Sequence, residues 1–312
     1  MLLLLGVLLL LVGLILTGIV RPRQTAAQMS CRNNLKQLGL AVANYHDSMN
    51  CLPPLVDQGE GSPTGGGLSS VFAMLEPYLE ARPIIYRAGF PPEKYHAHSA
   101  TPFTYRNKDG TTGTTDGGMA NESWKLFVCP SDTTADKLRD VPVTLPDGST
   151  GYYATGSYAA NGMMSWNKKG KTLNSANTIL FAERPQVCHT AGGEVVHNLW
   201  GVGFYSPQMP AFATLTPTEP AGLWSTGQVA PELPLPAEDG EVMVRIGTTN
   251  AEPTRPDFAT PVQRIYTGRT CDPRLPGSLH PDGMNAVMAD GNVRVFRYDT
   301  SPRVFWSACV PE

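Results

Sequence analysis

The residues whose types and spacing could do chemistry lie near the end of the chain, where His280 is followed by Asp282 and Asp290. Carboxylates with nearby backbone carbonyls are hard oxygen ligands of the kind that Ca²⁺ prefers. The segments Pro281-Asp282-Gly283 and Asp290-Gly291 are also turn sequences, which need no metal. We therefore favour a structural role in which His280 ties its loop to a sheet by hydrogen bonds. A calcium site at Asp282 and Asp290 is the alternative.

Other candidates for chemistry are few. His96 and His98 would share one face of a strand, but two imidazoles alone make a weak metal site. The sequence contains no nucleophile elbow, His-Glu-x-x-His motif, Walker loop or dinucleotide-binding motif. We predict a protein that is not an enzyme and has no cofactor, with calcium as the one ion to consider.

Six cysteines are scattered along the chain without a C-x-x-C pair, which argues against a zinc ribbon or a thioredoxin-like site. An even number in an exported chain indicates disulfides formed in an oxidising compartment, and buried free thiols are the alternative. Spacing does not rank the pairings. Cys31 and Cys51 are an unfavourable pair, because twenty helical residues would hold the sulfurs about 30 Å apart. The six are Cys31, Cys51, Cys129, Cys188, Cys271 and Cys309.

The secondary-structure elements must position these residues. The first predicted element along the chain is an apolar helix. Leu2 to Val20 is a run of 19 residues without a charge. As a helix it is about 28 Å long, close to the hydrocarbon thickness of a bilayer. A secretory signal peptide is the alternative, but the run is long and lacks a basic n-region. Residues 1–23 are therefore predicted to be a transmembrane anchor in a lipid bilayer.

A second helical pattern follows the anchor over residues 24–50. Apolar residues recur there at spacings of three and four, which predicts an amphipathic helix that continues the anchor and packs one face on a globular head. That face is predicted to consist of Cys31, Leu35, Leu38, Val42, Tyr45 and Met49.

Residues 51–312 are predicted to form a β-rich globular head. Gly and Pro number 31 and 28, which favours turns, short strands and loops over helix bundles. Two long loops are expected at about 83–123 and 206–239, and a short helix capped by Ser69 or Ser70 within 68–79. The predicted strands are 124–128, 152–161, 178–183, 197–205 and 241–246.

One further pair of strands is predicted from Asp290-Gly291, a strong signal for a hairpin with a two-residue turn. Such a loop pairs Ala289 with Asn292 and Met288 with Val293. It would put Ala286, Met288, Val293 and Val295 on one face of the sheet, and Asn285, Val287, Arg294 and Phe296 on the other.

These motifs together resemble a known family. His280 followed by nine residues and Asp290-Gly291, with Cys31-Arg-Asn-Asn-Leu-Lys-Gln-Leu-Gly-Leu near the start, resembles the prepilin-type processing-associated proteins with a His-nine-Asp-Gly motif, the family of domain of unknown function 1559. The family motif residues are thus His280, Asp290 and Gly291. Shorter stretches that also resemble the family, in the same order, are 44–47, 53–54, 76–80, 127–132, 157–162 and 177–183.

The resemblance implies an α+β fold like that of a type IV pilin or pseudopilin. In that layout a long N-terminal helix, transmembrane and then amphipathic, packs on an antiparallel β-sheet head with long loop insertions. The chain departs from the pilin pattern at its start, where Met1 leads straight into Leu and Leu5 stands where a Glu is expected. Processing by a prepilin peptidase and assembly through that Glu are thereby put in question, and a permanently anchored relative is the other option.

Orientation in the membrane is predicted from two opposing signals. Basic residues follow the apolar run and none precedes it, so the positive-inside rule alone would place the head in the cytoplasm. Cysteine usage and the resemblance place it outside, and we favour a single-pass protein of the inner membrane with an extracytoplasmic head. A surface filament is the other location that the resemblance implies.

The expected function is that of a pilin-like or pseudopilin-like structural or secretion-associated protein, which packs through its N-terminal helix. Its partners would be the bilayer and other pilin-like subunits, in a type II secretion or pilus assembly. Nucleic acid is not an expected partner, because the net charge is only −3 and no Lys/Arg run is present. The alternative is a membrane-tethered binding domain for a saccharide or peptide, held by Trp124, Trp166, Trp200 and Trp224.

Overall fold

A long helix, α1 (Leu2–Met49), begins the fold and runs into a body of short strands. The computed structural model describes residues 2–53, 55–57, 69–79, 103–106, 112–115, 123–135, 140–144, 150–162, 176–203, 206–212, 261–266 and 270–309. The side chains of α1 are described from Gln24 onwards. Among the helical residues with described side chains, none forms a segment of the length and apolarity that a bilayer span needs. The predicted anchor, residues 1–23, lies outside that part of the chain.

The outer half of α1 is packed on the head as predicted. Cys31, Leu35, Leu38 and Val42 are completely buried and Tyr45 is 5% exposed. Met49 was predicted on the same face but is 39% exposed, because it lies in the last turn of the helix. Helical spacing shows which face is apolar and does not show where along the helix the contact ends.

The remaining elements are short. Within the described residues, two further α-helices are α2 (Val71–Leu75), which is capped by Ser70 as predicted, and α3 (Pro302–Cys309). The strands are β1 (Val56–Asp57), β2 (Ser69–Ser70), β3 (Phe103–Arg106), β4 (Thr112–Thr115), β5 (Val141–Thr144), β6 (Thr150–Tyr153), β7 (Tyr158–Asn161), β8 (Ile179–Glu183), β9 (Val187–His189), β10 (Val195–His197), β11 (Ala211–Phe212), β12 (Gln263–Arg264), β13 (Gly277–Ser278), β14 (Met284–Met288) and β15 (Val293–Phe296).

The central sheet has five strands in the order β11-β7-β8-β14-β15. The strands from β7 through β8 and β14 to β15 are antiparallel to one another, whereas β11 is parallel to β7. The fold is therefore α+β as predicted, but the sheet is mixed. The run of apolar residues in β8 is fully buried, as expected for a central strand.

Each face of this sheet is covered by a helix. On one face, Phe181 of β8 and Val287 of β14 lie in a core cluster with the buried residues of α1 and α2. On the other face, Ala182 and Ala286 lie in a second cluster with Phe305 of α3. Because residues alternate between faces, one pair of strands contributes to both clusters.

The predicted hairpin forms, but its register is shifted by one residue. Val287 pairs with Val293 and Asn285 with Val295, and the N–H of Met288 donates to the carbonyl of Asn292 at 2.9 Å. The loop therefore has three residues, with Gly291 at a φ of 78°. A three-residue loop that ends in a left-handed glycine is a common hairpin connection, and the dipeptide alone does not distinguish it from the two-residue loop.

The register shift also changes the predicted faces. Val293 and Val295 share a face with Asn285 and Val287, and the predicted grouping with Ala286 and Met288 is wrong.

Other local predictions had mixed outcomes. Residues 124–128 were predicted as a strand, but Lys125–Phe127 is a turn of 3₁₀ helix. The predicted strand at 152–161 is interrupted between β6 and β7. Of the predicted strand at 197–205, residues 197–203 are described, and His197 is the one residue of these that belongs to a strand, β10. The expected loop at 83–123 contains the antiparallel pair β3 and β4. The predicted strand at 241–246 and most of the loop at 206–239 lie outside the described residues.

Candidate functional site

The candidate site is centred on a buried pair of ionisable side chains, His280 and Glu183. Glu183 is the last residue of β8, and His280 lies in the loop between β13 and β14. The Nε2 atom of His280 is 3.0 Å from Oε1 of Glu183, and each residue is 3% exposed. The His residue of the family motif thus bonds to the sheet, as the structural interpretation of the sequence predicted.

Asn285 of β14 completes the environment of the Glu183 carboxylate. Its backbone N–H donates to Oε2 at 2.9 Å, and its Nδ2 donates to Oε1 at 2.7 Å. A buried carboxylate is costly unless charge-assisted hydrogen bonds compensate for lost hydration. With His280, three donors converge on Glu183 and fix β8, β14 and the loop against one another.

The backbone around His280 is held by Ser278 and Tyr298. Ser278 Oγ accepts from the N–H of His280 at 3.2 Å, and the Tyr298 hydroxyl donates to the carbonyls of both residues. Burial is the main reason that the pKa of Tyr298 rises to about 12. The phenol therefore stays protonated and remains a donor throughout the neutral range.

A disulfide between Cys31 and Cys129 lies directly beside this pair. Its Cα atoms are 4.8 Å apart, and the Sγ atom of Cys129 is 3.6 Å from Nε2 of His280. One potential ligand atom from each of Cys31, Cys129, Glu183 and His280 lies within 4.8 Å of the other three. All four residues are of types that bind zinc, but in the oxidised state the two sulfur atoms are bonded to each other.

A small pocket opens onto the same group of residues. Its empty volume, which includes space open to solvent, is about 200 Å³, and Cys129, Asp132, Glu183, Arg184 and His280 are among the residues that line it. Asp132 accepts hydrogen bonds from the Ser157 hydroxyl at 2.8 Å and the Gln186 N–H at 2.9 Å. Burial raises the pKa of Asp132 and the hydrogen bonds oppose that rise.

Arg184 belongs to the structural framework of the pocket. Its guanidinium donates to the carbonyls of Pro207, Met209 and Ala211, which fastens the segment leading into β11. Desolvation lowers the pKa of this buried guanidinium to about 10.

The two predicted calcium ligands are not brought together. Asp282 precedes β14 and Asp290 follows it, and both residues are exposed. The carboxylate of Asp290 instead accepts from the N–H of Asn292 at 2.9 Å and from its Nδ2 at 2.8 Å. Asp290 and Gly291 thus shape the hairpin turn. His96 and His98 lie outside the described residues.

Four of the six cysteines form disulfides. The pairs are Cys31–Cys129 and Cys188–Cys271, and Cys51 and Cys309 have free thiols. Both expectations, disulfides and a buried free thiol, therefore apply to parts of this chain.

Two of the tryptophans predicted to hold a ligand lie inside the core. Trp124 and Trp200 pack edge to face there with ring centroids 6.3 Å apart, and they are 7% and 1% exposed.

Sequence reasoning from spacing missed Glu183 and the role of Cys129, because both are far from His280 along the chain. It also missed the role of Asn285, which is close to His280 in sequence, because that role depends on the pairing of β14 with β8. Both Glu183 and Cys129 lie within stretches that resemble the family, 177–183 and 127–132. Those stretches were the available signal.

The comparisons with known proteins agree with the motif analysis. The sequence model of a family described as a protein of unknown function (DUF1559) matches residues 21–303. No match was found among curated proteins or among solved structures. The match covers most of the chain, and the chain therefore belongs to the DUF1559 family, as the spacing of His280 and Asp290-Gly291 indicated.

Proposed function

We propose that this protein is a membrane-anchored, pilin-like structural or secretion-associated protein with an extracytoplasmic head. The observation that carries the proposal is the way α1 enters the head. Cys31, Leu35, Leu38 and Val42 are completely buried against the central sheet, and Cys31 is covalently joined to the head. Because the helix is fixed to the head in this way, whatever holds its N-terminal half in place also holds the head.

The N-terminal half supplies the second argument. Leu2 to Val20 has no charged residue, and its helical length of about 28 Å matches a bilayer core. Gly6, Gly13 and Gly18 would allow another helix to approach closely. The proposed role is lateral packing of this helix in the membrane, with the head carried outside the cytoplasm.

A tethered binding domain has less support. Trp124 and Trp200, proposed to hold a saccharide or peptide, are core residues, and Trp166 and Trp224 lie outside the described residues. The pocket is also small, because its roughly 200 Å³ of empty space includes space that is open to solvent.

The test compares the full chain with a variant that lacks residues 2–20. After expression in a bacterial host, we expect the full chain to remain in membranes washed with alkaline carbonate and the variant to be released. Electron microscopy and N-terminal sequencing of the native protein then distinguish a subunit that polymerises from a permanently anchored protein. Filaments with a processed N-terminus would indicate a polymer, and an intact Met1 without filaments would indicate a permanent anchor. Release of the full chain by carbonate would refute the proposal.

A further inference from the structure

We propose that Cys31, Cys129, Glu183 and His280 form a tetrahedral Zn²⁺ site when the disulfide between the two cysteines is reduced. The inference concerns the head and does not depend on membrane anchoring. Structural zinc sites take four protein ligands from Cys, His and carboxylate side chains, and here one atom from each of the four residues lies within 4.8 Å of the others.

The distances between these atoms are close to those of a zinc site. Zinc–ligand bonds of about 2.0–2.3 Å place neighbouring ligand atoms roughly 3.3–3.8 Å apart around a tetrahedron. Nε2 of His280 is 3.6 Å from Sγ of Cys129 and 3.0 Å from Oε1 of Glu183. The main change on reduction is separation of the two sulfur atoms, which side-chain rotation provides once their bond is broken.

The outer contacts needed to orient the ligands are already present. Asn285 holds the Glu183 carboxylate through two hydrogen bonds, and Ser278 and Tyr298 hold the backbone of His280. Such contacts fix ligand geometry, and their loss commonly lowers metal affinity by about 10–100-fold. Cys129, Glu183 and His280 also line the pocket.

Charge gives a reason for metal binding in the reduced state. All four residues are at most 4% exposed, so two thiolates beside a carboxylate would be strongly disfavoured without a cation. Zn²⁺ stabilises the thiolates, and its binding releases their protons. The ion would join α1 to the sheet at the same point as the disulfide, so the helix would be fixed to the head in both redox states.

The chemistry balances with a dithiol as the reductant. Two electrons and two protons pass from the dithiol to the Cys31–Cys129 bond, which breaks to give two thiols while the reductant closes its own disulfide. Zn²⁺ then binds the two sulfur atoms and displaces two protons to solvent. Reoxidation reverses both steps and releases the ion.

The experiment titrates the full chain in detergent with Co²⁺, a spectroscopic substitute for zinc. A phosphine reductant is used because it does not supply thiols; it becomes a phosphine oxide with oxygen from water as the disulfide becomes two thiols. We expect one Co²⁺ per reduced chain, with thiolate-to-cobalt charge-transfer absorption that added Zn²⁺ removes. The oxidised chain should show no such absorption.

Matched variants identify the ligands. The double substitution Cys188→Ser/Cys271→Ser removes the other disulfide and should leave the signal unchanged, as should Cys51→Ser. Cys129→Ser should lower Co²⁺ affinity at least 100-fold, and His280→Gln at least 10-fold with both thiolates still bound. Circular dichroism follows folding in each sample.

Two results with the reduced chain decide whether the zinc site exists. A reduced chain that is folded and binds no Co²⁺, or whose charge-transfer signal survives Cys31→Ser/Cys129→Ser, would overturn the proposal. If reduction unfolds the chain, recovery of its secondary structure with one equivalent of Zn²⁺ would support the site, and lack of recovery would overturn it.

Discussion

Cys31 on the N-terminal helix and Cys129 in the head are 98 residues apart in sequence and are joined by a disulfide beside the buried pair His280 and Glu183. A cross-link that closes so long a loop mainly restricts the unfolded chain, and it also fixes the helix to the sheet.

The first prediction concerns this cross-link. The double substitution Cys31→Ala/Cys129→Ala should lower the free energy of unfolding by about 2–4 kcal/mol, because the unfolded chain regains the entropy of an open loop. The measurement is guanidinium denaturation of the full chain in detergent. Cys188→Ala/Cys271→Ala is the control, since that disulfide closes a loop of similar length, with a separation of 83 residues, and does not involve α1.

The two double variants should differ in local behaviour. Hydrogen exchange in residues 31–45 should become faster only when Cys31 and Cys129 are replaced. Equal exchange in both variants would contradict the role of this disulfide in fixing the helix.

The second prediction concerns the packing of α1 on β14. A Cβ atom at Gly39 would lie 2.7 Å from Cγ2 of Val287, a fully buried side chain. Gly39→Ala gains about 1 kcal/mol in helix propensity, but overpacking a core costs about 1–3 kcal/mol, so a net loss is expected. Adding Val287→Ala should relieve the clash, so that Gly39→Ala stabilises the chain in that background. Denaturation of the four proteins in this cycle gives the coupling, and strictly additive effects would contradict the contact.

The third prediction concerns Glu183, whose carboxylate accepts the hydrogen bonds at the centre of the candidate site. Glu183→Ala should destabilise the fold by about 3–5 kcal/mol, because it leaves the buried donors of His280 and Asn285 without their carboxylate. Asp299→Ala removes a carboxylate from an exposed pair with Arg297 and should leave the unfolding transition unchanged. Similar thermal shifts in the two variants would contradict the assigned role of Glu183.

The fourth prediction concerns pH. Glu76 is 1% exposed, its Oε1 has no hydrogen-bond partner among the described residues, and burial raises its pKa from 4.5 to about 8. Below the unfolded pKa both states hold the proton and there is no penalty. Between about pH 4.5 and 8, Glu76 is ionised in the unfolded state but still protonated in the folded state. The free energy of unfolding therefore falls as pH rises, by at most about 5 kcal/mol.

The matched variant for this effect is Glu76→Gln, which is neutral at every pH. Denaturation at pH 5 and pH 8 should show a larger loss of stability in the wild type than in the variant. A variant with the same pH dependence as the wild type would exclude Glu76 as the cause.

How much could be predicted from the sequence depended on the range of the signal. The face of α1 from Cys31 to Tyr45 was predicted because helical spacing is local, and the buried strand β8 because its apolar run is continuous. The hairpin at Gly291 was predicted with a one-residue error in register, because its loop length depends on pairing of the strands as well as on the turn dipeptide.

The site itself was predicted only at His280. Its partners Cys31, Cys129 and Glu183 are 97 or more residues from it in sequence, and spacing carries no information over that distance. Asp282 and Asp290 were proposed as calcium ligands because they are close in sequence, but β14 extends between them and separates their side chains.

The measurement that tests the central claim most directly is protease digestion of the full chain in intact spheroplasts. Anchoring through residues 1–23 with an extracytoplasmic head predicts that external protease degrades the head, while a cytoplasmic marker protein stays intact. The positive-inside rule, taken alone, predicts the reverse. A head that is protected until the membrane is opened with detergent, and then digested, would contradict the account.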